Sequence, residues 1–373
     1  MKANARILIT GANGFVGKNL KAELKNRGYE TVYECDVCTT EEELKQYLSD
    51  CTFVFHLAGV NRPKEEKEFT EGNCGFTKTV LEGLEKAANA CPVLLSSSIQ
   101  AALDNPYGIS KREAEGLVFS YGKITGAPVY VYRLPGVFGK WCRPNYNSVV
   151  ATFCHQIARD LPITVNDPER DLELVYIDDV VDAFISSMEG NAVYDGDYCI
   201  VKKTHHIRLK DLADTIRSFR ESRETLAVPE QGDELKKDLY STYLSYLKED
   251  DFSYPLCMKC DERGSFTEFL RSTDNGQVSV NVAKPGITKG NHWHHTKNEK
   301  FLVVSGKACI RFRKVGETEI ISYDVSGEEL TVVDIPTGYT HNITNVGEED
   351  LVTVMWASEP FDPDHPDTFY EPV

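Results

Sequence analysis

A short apolar run, Ile7-Leu8-Ile9-Thr10, leads straight into Gly11-Ala12-Asn13-Gly14-Phe15-Val16-Gly17. Val16, Leu20 and Leu24 then recur every four residues until Gly28. Strand, glycine turn and helix in that order leave few folds open. Glycines let a backbone turn tightly and approach a pyrophosphate, whose charge suits the free N–H groups of a helix N-terminus. Gly11, Gly14 and Gly17, with Asn13, Phe15 and Val16 between them, are therefore candidate dinucleotide-binding residues. Further β-branched or aromatic runs at Thr31–Cys35, Phe53–Leu57, Val93–Leu95 and Val129–Tyr132 alternate with helical stretches. They predict βαβ units and a doubly wound parallel α/β sheet.

Residues 205–250 are charged and read as helical, with Tyr240, Tyr243 and Leu247 at helix-packing spacing. Asp250 to Pro255 breaks that pattern, which places a domain boundary between residues 1–250 and 251–373. Beyond it, Val278, Val280 and Val282 alternate with polar residues, and similar alternation returns around Ile310, Ile320 and Leu351. Turn residues separate these runs at about ten-residue intervals, the pattern of an antiparallel sandwich or barrel.

The formal net charge of −17 argues against a nucleic-acid or anionic-membrane partner. No stretch of about 18 apolar residues predicts a membrane span. The amino end lacks a secretory pattern, so a cytoplasmic location is expected. Eleven cysteines fit a reducing compartment. Cys35/Cys38 and Cys257/Cys260 lie too far apart in sequence for a zinc ribbon.

Tyr107-Gly108-Ile109-Ser110-Lys111 places a phenol and an ammonium one above the other on a helix. A neighbouring ammonium favours the phenolate and is expected to lower the phenol pKa. Tyr107 can then protonate a carbonyl oxygen while hydride reaches carbon. Asp36, at the end of the second strand, suits a ribose 2′-hydroxyl, whereas Lys18 and Arg62 suit a 2′-phosphate.

The glycine spacing, His56-Leu57-Ala58-Gly59, Asn73, the triple serine Ser96-Ser97-Ser98 and the Tyr-Lys pair together resemble the extended branch of the short-chain dehydrogenase/reductases. That resemblance implies a Rossmann-type fold and a nicotinamide cofactor, NADPH in preference to NADH. It implies Leu57, Ala58, Gly59 and Asn73 along the cofactor, with His56-Leu57-Ala58-Gly59 following a fourth strand. It also implies Ser98, with Ser97 as the alternative, as the hydroxyl beside Tyr107 and Lys111. Arg133 to Gly139 and Leu174 to Val180 resemble the branch's substrate-side motifs, although Gly136 stands where asparagine is usual. Between them, Lys140 to Asn147 combines cations, an aromatic ring and amides that suit a nucleotide diphosphate.

Gly286-x5-His292-x-His294-x4-Glu299-x6-Gly306 matches a cupin motif, and Pro336-x-Gly338-x2-His341-x3-Asn345 resembles its partner, with Leu330 in place of the leading glycine. The resemblance implies an all-β cupin, a jelly-roll barrel. Three imidazoles and a carboxylate, His292, His294, His341 and Glu299, suit a divalent transition metal, with zinc expected. Lys300, His295 and Tyr339 are candidates for an epimerising base.

A reductase joined to a cupin resembles the small family of bifunctional capsular-polysaccharide enzymes called CapF. Long stretches such as DLYSTYLSYL and KPGITKGNHWHHTKNEKFLVVSGK carry that likeness. It implies a UDP-linked 4-keto-deoxy-amino sugar as substrate, epimerised at C3 and then reduced at C4. The implied product is UDP-2-acetamido-2,6-dideoxy-L-talose and the implied assembly a homodimer. A single-activity 4-keto reductase with a structural or ligand-binding cupin is the alternative. A cofactor-sensing binding protein is disfavoured, because Tyr107, Lys111 and the serine are all present.

Overall fold

The computed structural model describes residues 4–272, 276–360, 362–364 and 366–373. Its contacts divide the chain into two compact units. One runs to Arg217 and includes Asp238–Lys248; the other comprises Ser218–Lys237 and Glu249–Val373. Among the described residues, no helix is long and apolar enough to cross a membrane.

The first unit is built on five parallel strands: β1 (Arg6–Thr10), β2 (Thr31–Cys35), β3 (Phe53–His56), β4 (Val93–Ser98) and β5 (Val129–Leu134). They lie in the order β2-β1-β3-β4-β5, and Tyr198–Cys199 and Tyr194–Asp195 extend the β5 edge. Ile7, Leu8 and Ile9 are fully buried, as expected for strands covered on both faces. Ile7, Ile9, Leu20, Leu24 and Phe184 pack on one face, and Leu8, Val54, Leu84, Val118 and Tyr121 on the other. The sheet is therefore doubly wound, and its order reverses between β1 and β3. Ligands bind at such a switch point, outside the carboxyl ends of the strands. The loop His56-Leu57-Ala58-Gly59 follows the third strand rather than a fourth. The chain from Asp36 enters the helix Glu41–Asp50 directly, without an intervening edge strand.

Local signals set the helix ends. The helix Phe15–Asn26 stops at Gly28, whose φ of 80° lets Tyr29 N–H reach back to the Leu24 carbonyl. The helix Pro106–Thr125 begins with Asn105, whose side chain accepts from Gly108 N–H, and with Pro106 in its first turn. That start puts Tyr107 beside the end of β4. A three-stranded sheet of Gly136–Phe138, Asp171–Tyr176 and His205–Arg208 completes the unit's strands.

The second unit carries two antiparallel sheets. One has six strands, with Gly276–Ala283, Leu351–Ala357 and Glu299–Ser305 side by side; the other has five, including Lys307–Lys314, Tyr339–Asn345, Thr288–Trp293 and Phe369–Tyr370. Phe301 and Val303 from the first sheet meet Ile310, Phe312 and Ile343 from the second in one core. Alternation along Gly276–Ala283 has an unexpected sense. Gln277, Ser279 and Asn281 are buried, whereas Val278, Val280 and Val282 are only half-buried. The inner face of this strand is polar. Ala227 forms a β-bridge with Arg271, so part of Ser218–Lys237 is tied by backbone pairing to this unit.

Candidate active site and candidate metal centre

The glycine turn sits at the β1 end of the switch point. Gly11 has a φ of 70°, and a Cβ there would lie 2.9 Å from the Ala58 backbone. That contact joins the turn to Leu57, Ala58 and Gly59 after β3. Gly14 caps the helix with no side-chain hydrogen bond, and its first turn has no acidic residue. Its N–H groups are thus free to receive an anion. Phe15 and Val16 pack against the core beneath. Asn13 N–H donates to the Asp36 carboxylate at 2.8 Å, placing Asp36 against the turn. These residues fit a dinucleotide.

Asn73 ties the other wall together. It lies in a π-helical turn, Thr70–Gly75, a local irregularity common at functional sites. Its Oδ1 accepts from Val60 N–H at 2.9 Å. Its Nδ2 donates to the Val60 carbonyl at 3.2 Å and to Ser110 Oγ at 2.9 Å. A Cβ on Gly59 would sit 2.9 Å from Asn73 Oδ1 and 3.0 Å from Lys111 Nζ. Only a missing side chain lets these three groups converge.

Lys111 is 6 % exposed and donates to the Ser96 carbonyl at 3.3 Å. Burial pushes its ammonium down to about 8, with Glu115 acting in the opposite sense. Tyr107 differs from expectation. Burial raises its phenol, while a hydrogen bond with the Ser98 hydroxyl lowers it; the net direction is upward. The Lys111 ammonium lies 6.0 Å from the phenol ring and donates to the Ser96 carbonyl, so it does not offset the effect of burial on this group. Tyr107 also donates to Asn61 Oδ1 at 3.0 Å, a partner with no signal in the sequence. Ser97 turns elsewhere and donates to Glu115 at 2.5 Å. Glu115 in turn receives Arg133 at 2.6 Å.

On the substrate-side loop, Lys140 pairs with Asp178 at 2.6 Å, joining the two flanking motifs. Trp141, at a φ of 68°, lines an open cavity of about 510 Å³ with Lys18 and Lys21. Arg143 lies over the Tyr146 ring.

In the all-β unit, His292 is the penultimate residue of the strand Thr288–Trp293 and pairs in register with His341. A bulge precedes it, between Gly290 and His292. His294 follows that strand and Glu299 opens the next. The donor atoms of all four residues lie within 4.8 Å of one another. His294 Nε2 and His341 Nε2 stand 3.5 and 3.3 Å from Glu299 Oε2. These three atoms are buried with no hydrogen-bond partner. Each such atom costs about 1–3 kcal/mol. Burial, reinforced by His341, pushes His292 down to about 4, which keeps it neutral and able to ligate. Convergent orphaned nitrogen and oxygen donors fit a divalent cation of the zinc class.

The three base candidates fare differently. Lys300 pairs outward with Asp334 and is exposed, on the opposite strand face from Glu299. His295 is exposed and packs on Trp293 and Phe369. Tyr339 is half-buried against the core. The residue that spacing missed is Lys297, which is 7 % exposed with Nζ 3.8 Å from Glu299.

The NAD dependent epimerase/dehydratase family matches residues 7–200, and the polysaccharide biosynthesis C-terminal domain matches residues 259–369. A Pseudomonas aeruginosa protein named UDP-2-acetamido-2,6-beta-L-arabino-hexul-4-ose reductase is 46 % identical over 367 residues, 98 % of each chain. The crystal structure of the capsular polysaccharide assembling protein CapF from Staphylococcus aureus is 53 % identical, covers 99 % of this chain and 100 % of its own, and superposes with a TM-score of 0.93. The chain belongs to the CapF family. A further CapF crystal structure, with the inhibitor 3-isopropenyl-tropolone, is 49 % identical over 99 % of this chain and all of its own, with a TM-score of 0.89.

Proposed function

We propose that this chain is a bifunctional nucleotide-sugar enzyme of polysaccharide biosynthesis. Residues 1–250 act as the reductase, and residues 251–373 as a cupin-type epimerase that holds zinc. The supporting observation is that one chain carries two separate clusters of side chains whose chemistry suits carbonyl substrates. Tyr107, Ser98 and Lys111 gather at the switch point of a dinucleotide fold, and four convergent metal-type donors lie in the all-β unit. The P. aeruginosa relative's name supports a UDP-linked 4-keto sugar as substrate.

A bound reduced nicotinamide, NADPH with NADH as the alternative, would supply hydride to C4. Gly11, Gly14 and Gly17 would hold its pyrophosphate, with Asp36 beside the ribose and Asn73 fixing the wall behind the nicotinamide end. Ser98 and Tyr107 would hold the C4 oxygen, and Tyr107 would give it a proton from its hydroxyl. The raised phenol pKa keeps that proton in place at neutral pH. Lys111 would set the charge beside the phenol.

A divalent ion held by His292, His294, Glu299 and His341 would supply Lewis acidity. The order of steps follows from acidity. A ring C–H beside a ketone can lose its proton because the enolate is stabilised, and beside an alcohol it cannot. Epimerisation at C3 therefore precedes reduction at C4, and UDP-2-acetamido-2,6-dideoxy-L-talose is the product. A homodimer in the cytoplasm completes the reading.

The test is incubation of the 4-keto sugar in heavy water without cofactor, followed by NADPH. Deuterium at C3 before any reduction is expected. Reduction without that label would support the single-activity reductase and overturn the first step.

A further inference from the structure

The loop between His294 and Glu299 is held by a residue about seventy positions later in the chain. Asp367 Oδ2 accepts from Thr296 N–H at 2.8 Å, from Lys297 N–H at 2.9 Å and from Thr296 Oγ1 at 3.0 Å. Its Oδ1 accepts from His295 N–H at 2.8 Å. One carboxylate thus gathers three consecutive backbone N–H groups. The main-chain carbonyl of Asp367 also lies within hydrogen-bond reach of His294 Nδ1. A proton on Nδ1 leaves the Nε2 lone pair facing Glu299 and His341.

Beyond Asp367, the segment stays on the donor strands. Phe369 and Tyr370 pair with Trp293 and His292. Glu371 N–H donates to the Asn291 carbonyl at 2.9 Å, and Arg313 holds the Glu371 carboxylate at 2.8 Å. The segment is therefore docked along the strand that carries His292 and leads into His294. Partners that orient ligands govern how well a metal is held.

We propose that Asp367 is a positioning residue of the divalent-ion site, setting the separation of His294 from Glu299 and the ring orientation of His294. This rests on the reading that the four-residue cluster holds a metal. Aspartate suits the task because each carboxylate oxygen accepts more than one donor. Asparagine has one accepting oxygen and leaves either the His295 N–H or the Thr296–Lys297 pair without a partner.

The experiment uses the full chain loaded with Zn²⁺, and with Co²⁺ as a spectroscopic probe. Asp367→Asn is expected to release Zn²⁺ to a chelator roughly 10–100 times faster and to change the visible absorption of the Co²⁺ form, with far-ultraviolet circular dichroism unchanged. A lower melting temperature with wild-type release rate and wild-type cobalt spectrum would mean a structural clamp only, and would overturn the proposal. If Asp367→Asn does not fold, Thr296→Val removes one of the four hydrogen bonds. It is expected to shift release and spectrum the same way to a smaller extent, and values identical to wild type would count against the proposal. Wild-type protein that takes up no stoichiometric ion overturns the metal reading itself. Wild-type uptake with an unchanged Asp367→Asn overturns only the role of Asp367.

Discussion

Lys297 places its ammonium 3.8 Å from the Glu299 carboxylate, and both side chains are nearly sealed from solvent. A cation held by His292, His294, Glu299 and His341 would share that carboxylate with a second positive charge. At this range, with an effective dielectric of about 20, the mutual repulsion is on the order of kcal/mol. Lys297→Met is therefore expected to hold Zn²⁺ about tenfold more tightly in a chelator competition. Equal or weaker retention would show that Lys297 supports the donors instead of opposing the ion.

The two sites should separate by mutation. Tyr107→Phe removes the proton donor and Lys111→Ala the ammonium behind it. Each is expected to lower NADPH consumption by roughly 10²–10⁴-fold and to leave deuterium exchange at C3 intact. Loss of both signals in a folded variant would refute the division of labour.

Gly59 offers a test that adds atoms rather than deleting them. A methyl group there meets Asn73 Oδ1 at 2.9 Å and Lys111 Nζ at 3.0 Å. Lysine is the more mobile of the two and must give way. Gly59→Ala should therefore keep a near-native melting temperature while raising the KM for NADPH and lowering kcat. Unchanged steady-state kinetics would mean that the Lys111 position is not critical.

His56 makes acid sensitivity predictable. Thr77 donates its hydroxyl proton to the Asn73 carbonyl at 2.6 Å, so at 2.9 Å it can only accept from His56 Nε2. His56 Nδ1 then accepts from Thr10 at 2.7 Å, whose oxygen receives Ala58 N–H. Only the neutral ring satisfies this chain. Burial, helped by the Lys111 charge, pushes His56 down to about 3. The unfolded ring titrates near its ordinary 6.5, so the unfolded state binds the extra proton between these values. Stability from this group is complete above pH 6.5 and falls as pH drops toward 3, by up to about 5 kcal/mol. His56→Gln should be less stable at pH 7.5 and show a flatter decline of its denaturation midpoint from pH 6.5 to 4. Parallel declines for the two proteins would exclude His56 as the source.

Relationships legible in the sequence are those that backbone geometry imposes over a few residues. The turn Gly11–Gly17 must join a strand to a helix because its neighbours have those periodicities. Tyr107 and Lys111 share a helix face because 3.6 residues make a turn. Only tertiary structure decided the rest. That Tyr107 meets Asn61, that Ser97 faces Glu115 while Ser98 faces the phenol, and that Gln277, Ser279 and Asn281 rather than the neighbouring valines line the inner face depend on how strands pair and sheets pack. Period-two alternation says that the two faces of a strand differ, not which one turns inward. Asp367 and Lys297 illustrate the same limit: one reaches the His294 loop from a distant segment, and the other lies beside a motif whose spacing does not include it. Local periodicity is a property of the chain, whereas hydrogen bonds between distant residues come from the packing energy of the whole fold, and no spacing rule encodes them.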